Sequence, residues 1–153
     1  RLAALARLWA FSDLFLAAPR RYPREFRLQQ DLLVAAGAED TADAASVVPV
    51  AMAVLAVPRR LLSAAVEPGA LRTHRHTTDP IHRPVDGALI RTIAWVGALN
   101  GALLTEKLTT GLPTTGVALG DELTRALLVG WGADPDRLDA ARALSAPWNR
   151  STT

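Results

Sequence analysis

The sequence predicts an all-α domain, a bundle of about six helices, and three observations lead to this class. Apolar side chains recur at intervals of three and four residues along most of the chain. No segment shows a credible β-alternation of apolar and polar residues. Prolines and glycines mark short connections between the helical segments. The length of 153 residues suits one compact domain, which we assign to residues 1–153.

The first two helices are predicted on either side of a proline-rich turn. Residues 2–17 form the first, and Pro19 should end it. Pro23 suits the first turn of the second helix, which should end before Gly37. One face of the first helix carries the residues expected to be buried, namely Leu5, Leu8, Trp9, Ser12, Phe15 and Leu16.

A long third helix is predicted over residues 44–66, broken at Pro49 and Pro58. Between the two prolines no side chain is polar, so this part should be buried on most sides. Residues 67–84 are expected to form a loop with one short turn at most.

Three more helices are predicted in the second half of the chain. Asp86 should cap the fourth, which runs to about Leu108. The fifth begins near residue 120, where Asp121 and Glu122 suit the helix dipole, and continues through Trp131 to Gly132. Asp134 and Pro135 open the sixth, which should end before Pro147.

Composition limits the functions to consider. There is no cysteine, so disulfides and thiolate metal sites are excluded, and the formal net charge of +2 does not by itself indicate nucleic acid or anionic membrane. We find no glycine-rich phosphate loop, no G-x-S-x-G motif and no pair of carboxylates on one buried face. We therefore expect neither an enzyme nor a cofactor.

Two polar clusters have a functional and a structural interpretation. The histidine cluster comprises His74, His76, Asp79 and His82, side chains that could bind zinc. Arginines lie between and beside these residues, and their positive charge disfavours a metal cation, so no metal is expected. Phosphate could bind a second cluster, although a solvated turn with Tyr22 and Phe26 tucked inward is favoured; its arginines are Arg20, Arg21, Arg24 and Arg27.

The segment "WVGALNGALLTEK" (95–107) is the most informative stretch. The uncharged run between Arg91 and Glu106 is shorter than the roughly 20 residues that a membrane span needs, so we predict a cytoplasmic protein without a membrane segment. Its helix has three faces. An aliphatic stripe around Asn100 should face the fold, and consists of Leu89, Ile93, Val96, Leu103 and Leu104. A more polar sector contains Arg91, Trp95 and Glu106.

The remaining face is a small-residue ridge, formed by Ala94, Gly97, Ala98, Gly101 and Thr105. Small side chains let a second helix approach closely. The next helix repeats this feature, so the two helices and their copies could form an intermolecular four-helix bundle. The predicted homodimer interface comprises Ala94, Gly97, Ala98, Gly101, Leu123, Leu127 and Gly130. Packing within one protomer is the alternative.

A pocket among the buried helices is the predicted binding site. Pro58 leaves the carbonyl of Val54 without its helical donor, and Pro49 does the same at Ala45. Apolar walls and one directional polar group would suit a small, mostly apolar effector. The predicted lining residues are Phe11, Phe15, Met52, Leu55, Trp95 and Asn100; an ordinary core is the alternative.

Three segments together resemble the C-terminal ligand-binding and dimerisation domain of TetR-family transcription regulators. They are "LWAFSDLFLAAPRRYPREFRLQQDLL" (8–33), "LSAAVEPGALR" (62–72) and "AWVGALNGALLTEKLTTGLPTTGVALGDELTRALLVGWG" (94–132). The resemblance implies a homodimer, an effector pocket and a regulator, expected to be a repressor. DNA binding is implied only through an N-terminal helix-turn-helix domain that this sequence does not contain. A helical protein–protein interaction module without a ligand is the alternative, and a small-molecule enzyme is a third class.

Overall fold

The computed structural model describes residues 1–35, 41–73, 77–78, 84–85, 87–108 and 115–150, with most of their side chains. These residues form a bundle of six helices, which confirms the predicted all-α class. The helices are α1 (Leu2–Arg21), α2 (Pro23–Ala35), α3 (Thr41–Val66), α4 (Gly87–Leu108), α5 (Gly116–Gly130) and α6 (Pro135–Arg150).

Two very short strands lie in the segment predicted as a loop. β1 (Thr77–Thr78) pairs antiparallel with β2 (Pro84–Val85), with Thr77 opposite Val85. No sequence pattern predicted them, because two residues are too few to show the alternation that identifies a strand.

Four prolines that the sequence predicted as breaks or ends lie inside helices. Pro19 is within α1, Pro49 and Pro58 are within α3, and Pro147 is within α6. An interior proline removes one backbone hydrogen bond and crowds the preceding turn. Pro58 is fully buried, so its ring gains packing that offsets this local cost.

The start of α5 also differs from the prediction. The helix begins at Gly116, and Thr115 caps it by accepting a hydrogen bond from the Ala118 N–H at 3.1 Å. Asp121 and Glu122 consequently lie in the second turn, away from the exposed N–H groups of the helix end. The start of α6 is as predicted, since Asp134 accepts a hydrogen bond from the Arg137 N–H at 3.1 Å.

The core forms where α1 packs against α6, α3 and α5, and where α4 packs against α5 and α3. The predicted inner face of α1 is confirmed, because Leu5, Leu8, Trp9, Ser12 and Leu16 are buried. Phe15, the sixth predicted member, is half-buried against this core. Leu62, Leu99, Leu128 and Leu138 contribute from the other helices and have 0% exposure.

Two of the described helices, Leu2–Arg21 and Gly87–Thr105, are long and apolar enough to cross a membrane by length and composition. The core helices of soluble proteins pass the same test. In both helices 39% of the apolar window is buried inside the fold. Residues such as Leu8 and Leu99 are therefore used for packing between helices, which is compatible with a soluble protein.

Close contact between α1 and α5 makes Gly120 sensitive to substitution. A Cβ atom there would lie 2.6 Å from Cδ1 of Leu16, a buried side chain with little freedom to move. We expect Gly120→Ala to lower the free energy of unfolding by about 1–2 kcal/mol, despite the gain in helix propensity. Glu122→Ala on the same helix is the control, because this side chain is exposed and lies outside the predicted dimer interface. Equal denaturant midpoints for the two variants would contradict this packing.

Candidate functional site

A cleft of about 250 Å³ opens between α1, α2 and α4. Its apolar floor includes Leu16, Phe26 and Leu103, which are buried, while Leu104 and Arg20 are exposed at its edge. Three further residues complete the lining, namely Pro19, Gln30 and Asn100. The cleft therefore has the composition of a small-molecule site, mostly apolar with a few polar groups.

Asn100 and Gln30 form an amide pair in this cleft. The Gln30 Nε2 group donates to Asn100 Oδ1 at 2.7 Å, and both side chains are half-buried. This bond joins α2 to α4 across the cleft. It leaves the NH2 group of Asn100 as a donor and the carbonyl of Gln30 as an acceptor for another partner.

Aromatic rings connect the cleft to the centre of the bundle. Phe26 lies on the cleft wall, and its ring centroid is 6.2 Å from that of Phe15 in an edge-to-face arrangement. Phe15 is 6.0 Å from Phe11, which is 4.9 Å from Trp95. Three predicted ligand residues thus form one packed series behind the cleft, and their rings support its floor rather than line it.

Trp95 lies at the centre of the core, with 0% exposure. Its indole N–H donates to Thr124 Oγ1 at 3.2 Å, and Thr124 shares a 2.9 Å hydrogen bond with Ser12 Oγ. This buried network links α1, α4 and α5. The prediction that Trp95 belongs to a polar sector of the helix was wrong. Its rings are buried, and its one polar group, the indole N–H, is hydrogen-bonded inside the fold.

The other predicted ligand residues are divided between two places. Asn100 lines the cleft, as described above. Met52 and Leu55 lie on α3, where Met52 is 39% exposed and Leu55 is half-buried, and neither lines the cleft. The carbonyl of Val54 belongs to the same part of α3.

The faces of α4 are rotated from the prediction. Val96 and Leu103 are buried as expected, but Ile93 and Leu104 are more than half exposed. Ala88, Thr92 and Leu99 complete the inner face instead. The prediction of the inner face was thus only partly correct. The helix is oriented so that Trp95 and Leu99 are buried, and this orientation exposes Ile93 and Leu104.

The small-residue ridge lies on the outer side of α4. Ala94, Gly97 and Gly101 are exposed, whereas Ala98 and Thr105 are half-buried. A Cβ atom at Gly97 or Gly101 would meet nothing within 4 Å, so close packing against the described part of the protomer does not require glycine at either position. The alternative of close packing within the domain therefore gains no support at these two positions.

The neighbouring helix α5 has a similar outer side. Gly130 is exposed and has open space where a Cβ would be, and Ala126 is exposed one turn earlier. Leu123 and Leu127 are half-buried and pack partly against the protomer's own core. Because α4 and α5 pack together, their outer sides can form one surface.

Arg142 on α6 bridges two carboxylates. It donates to both oxygens of Asp13 at 2.6 Å and to Asp121 Oδ2 at 2.7 Å, and its guanidinium lies 4.8 Å from the Trp9 ring centroid. Burial raises the pKa of Asp121, with the Arg142 charge opposing this and Asp13 adding to it. The bridge ties α1, α5 and α6 together, which sequence spacing could not reveal.

The arginine corner, comprising Arg20, Arg21, Arg24 and Arg27, joins α1 to α2 and is exposed. Phe26 is tucked inward as predicted, whereas Tyr22 is 60% exposed. Among the residues described, no group of three or more potential metal ligands occurs. The members of the histidine cluster, His74, His76, Asp79 and His82, and the predicted cap Asp86 lie outside the described residues.

The sequence did not identify Gln30, Leu16 or Pro19 as part of the site. Gln30 lies on the same face of α2 as Phe26, four residues earlier, but nothing along the chain relates it to Asn100, 70 residues later. The sequence contained one indication of the cleft, because Asn100 is the one polar side chain in the aliphatic stripe of α4.

Comparison of the chain with protein-family models, curated proteins and solved structures found no match. The resemblance in helix lengths and apolar spacing therefore stays a prediction.

Proposed function

We propose that this chain is the effector-binding and dimerisation domain of a TetR-like transcription regulator of the bacterial cytoplasm. The effector is a small, mostly apolar molecule, and DNA binding belongs to an N-terminal domain of the parent protein. The observation that carries the proposal is the outward small-residue ridge on α4, next to α5 and on the same helix as the cleft residue Asn100.

The ridge supports a dimer because no described residue of the protomer packs closely against Gly97 or Gly101. A glycine inside a helix costs about 1 kcal/mol relative to alanine. Gly97 and Gly101 both carry this cost, and a Cβ at either would meet nothing. A second copy of α4 and α5 against this surface would give the glycines a packing role and form a two-fold four-helix bundle.

The cleft supports an effector because α4 contributes to both features. Asn100 and Leu103 line the cleft, while Gly97 and Gly101 face away from the core on the same helix. An effector that binds one orientation of α4 better than another shifts the populations of the two orientations. In a dimer, that shift changes the spacing of two attached DNA-reading domains.

The dimer is tested by replacing Gly97 and Gly101 together with leucine. We expect the wild-type chain to be a dimer in light scattering and the double variant to be a monomer, because two leucines prevent close approach of the partner helix. The variant should fold, since both positions face open space and leucine favours helix.

The matched control is Ala140→Leu with Ala143→Leu, on the exposed side of α6. This variant should keep the wild-type mass. A wild-type monomer, or a dimer that persists in the glycine double variant, would contradict the assigned interface.

A helical protein–protein interaction module without a ligand is the second candidate. The observation in its favour is a set of large apolar side chains exposed on α4 beside the ridge, namely Ile90, Ile93 and Leu104. Native mass spectrometry of protein purified from its source separates the two functions. A retained small molecule supports the effector domain, whereas a retained protein partner and an empty cleft support the module.

A further inference from the structure

We propose that the ligand of the cleft between α1, α2 and α4 carries a neutral cis-amide group, as a lactam does, on an apolar body of one or two rings. This inference rests on the proposed effector-binding function and deepens it by naming the class of effector. Three features of the cleft support it, namely the unused hydrogen-bonding groups of the amide pair, their position on two helices and the size of the apolar part.

The amide pair keeps one kind of donor and one acceptor for a ligand. Its bond from Gln30 Nε2 to Asn100 Oδ1 leaves the Asn100 NH2 group and the Gln30 carbonyl unused. Within the described part of the chain, neither side chain has a second polar partner. Turning both amides through a half-circle exchanges the roles of the two side chains and again leaves one donor group and one acceptor. Both side chains are half-buried, so water has limited access to these groups.

A cis-amide is the group that matches this pair. Its N–H and C=O lie on neighbouring atoms and point to the same side of the molecule. The N–H can donate to the Gln30 carbonyl while the C=O accepts from the Asn100 NH2 group. A carboxylate has no donor for Gln30, and an ammonium group has no acceptor for Asn100, so each would leave one member of the pair without a partner.

The two unused groups belong to different helices. Gln30 is on α2 and Asn100 is on α4, the helix that also carries the small-residue ridge. A ligand that bonds to both side chains therefore favours one position of α4 relative to α2. A ligand that bonds to one of them lacks this preference, and only a preference between two conformations can shift their populations.

The size of the cleft limits the apolar body. Ligand sites for drug-sized molecules have volumes of about 300–1,000 Å³, and a cavity of about 150 Å³ holds benzene. The volume of about 250 Å³ lies between these and suits one or two rings. Leu16, Phe26 and Leu103 provide a buried apolar surface, and the Phe26 ring can contact a planar lactam.

Calorimetric titration with three bicyclic probes of similar shape tests the class of ligand. The probes are the lactam dihydrocarbostyril, its N-methyl derivative and the ketone β-tetralone. The lactam offers a donor and an acceptor, whereas the other two offer the acceptor alone. We expect the dissociation constant of the lactam to be about three- to tenfold lower than that of either, because one more hydrogen bond is formed.

Two variants locate the preference. Gln30→Met with Asn100→Leu keeps the size of both side chains and should bind the lactam no more tightly than its N-methyl derivative. Asp31→Leu is the control, since this exposed neighbour of Gln30 is not among the described lining residues and should keep the preference.

The possible failures are distinguishable. Equal dissociation constants for the lactam and its N-methyl derivative in the wild-type chain would overturn the cis-amide ligand and leave the apolar effector site standing. A lactam preference that persists in the double variant would overturn the contact with the amide pair. Failure of all three probes to bind would overturn the cleft as the effector site.

Discussion

Replacing Trp95 with alanine is expected to lower the free energy of unfolding by about 3–5 kcal/mol, the range for removing a large aromatic side chain from a packed core. The indole has no exposed surface, and its ring lies 4.9 Å from that of Phe11. The substitution would also leave Thr124 without the donor from Trp95 Nε1. Urea unfolding followed by far-ultraviolet circular dichroism measures the effect.

Two variants separate the contributions to this loss. Trp95→Phe keeps most of the apolar surface and removes the hydrogen bond, so about 1–3 kcal/mol is expected. Leu144→Ala is the control, because Leu144 is 48% exposed on α6 and should cost less than about 1 kcal/mol. Trp95 was predicted to be a pocket wall. A loss below 1 kcal/mol in Trp95→Ala would favour that role over the core position described here.

Replacing Arg142 with methionine is expected to lower the free energy of unfolding by about 2–3 kcal/mol. Methionine keeps an apolar stem, so the main loss is the positive charge between two carboxylates. Asp13 has only 12% side-chain exposure, so little water can replace the contact with Arg142. The cation–π contact with Trp9 is lost as well. The midpoint of urea unfolding at neutral pH measures the effect.

Arg125→Met on α5 is the matched control for Arg142. Arg125 pairs with Asp139, whose side chain is 64% exposed, so water can solvate the remaining carboxylate. Exposed pairs of this kind contribute little to stability, so a much smaller loss is expected than for Arg142→Met. Adding Asp13→Asn and Asp121→Asn to the Arg142 variant should recover part of its stability, because the two carboxylates that Arg142 contacts are then replaced by neutral amides. Equal losses for the two arginine variants would contradict the bridging role of Arg142.

Predictions from local chemistry were the most successful. Asp134 caps α6, Pro23 begins α2, and Gly132 follows α5 with a φ of 96°, as expected for a residue that ends a helix. These features depend on the few residues around each helix end, so the sequence contains the information. Proline was the exception, since Pro58 remains inside α3 where burial offsets the cost of the lost hydrogen bond.

The candidate site could be predicted only in part. Asn100 was identified from its place among aliphatic residues, and the ridge glycines were identified from their spacing. Gln30 and Phe26 join Asn100 only because α2 folds back towards α4, and Arg20 joins it from the end of α1. Contacts between residues so far apart in the chain depend on how the helices pack, and no local pattern encodes them.

The sequence by itself determined the all-α class, most helix boundaries and which residues share a face of each helix, because the helical repeat follows from backbone geometry. It did not determine which face of α4 turns inward. Tertiary packing decided that, since burying Trp95 and Leu99 removes more apolar surface from water than burying Ile93 and Leu104 would. The same rotation places Gly97 and Gly101 outward and leaves Asn100 at the cleft.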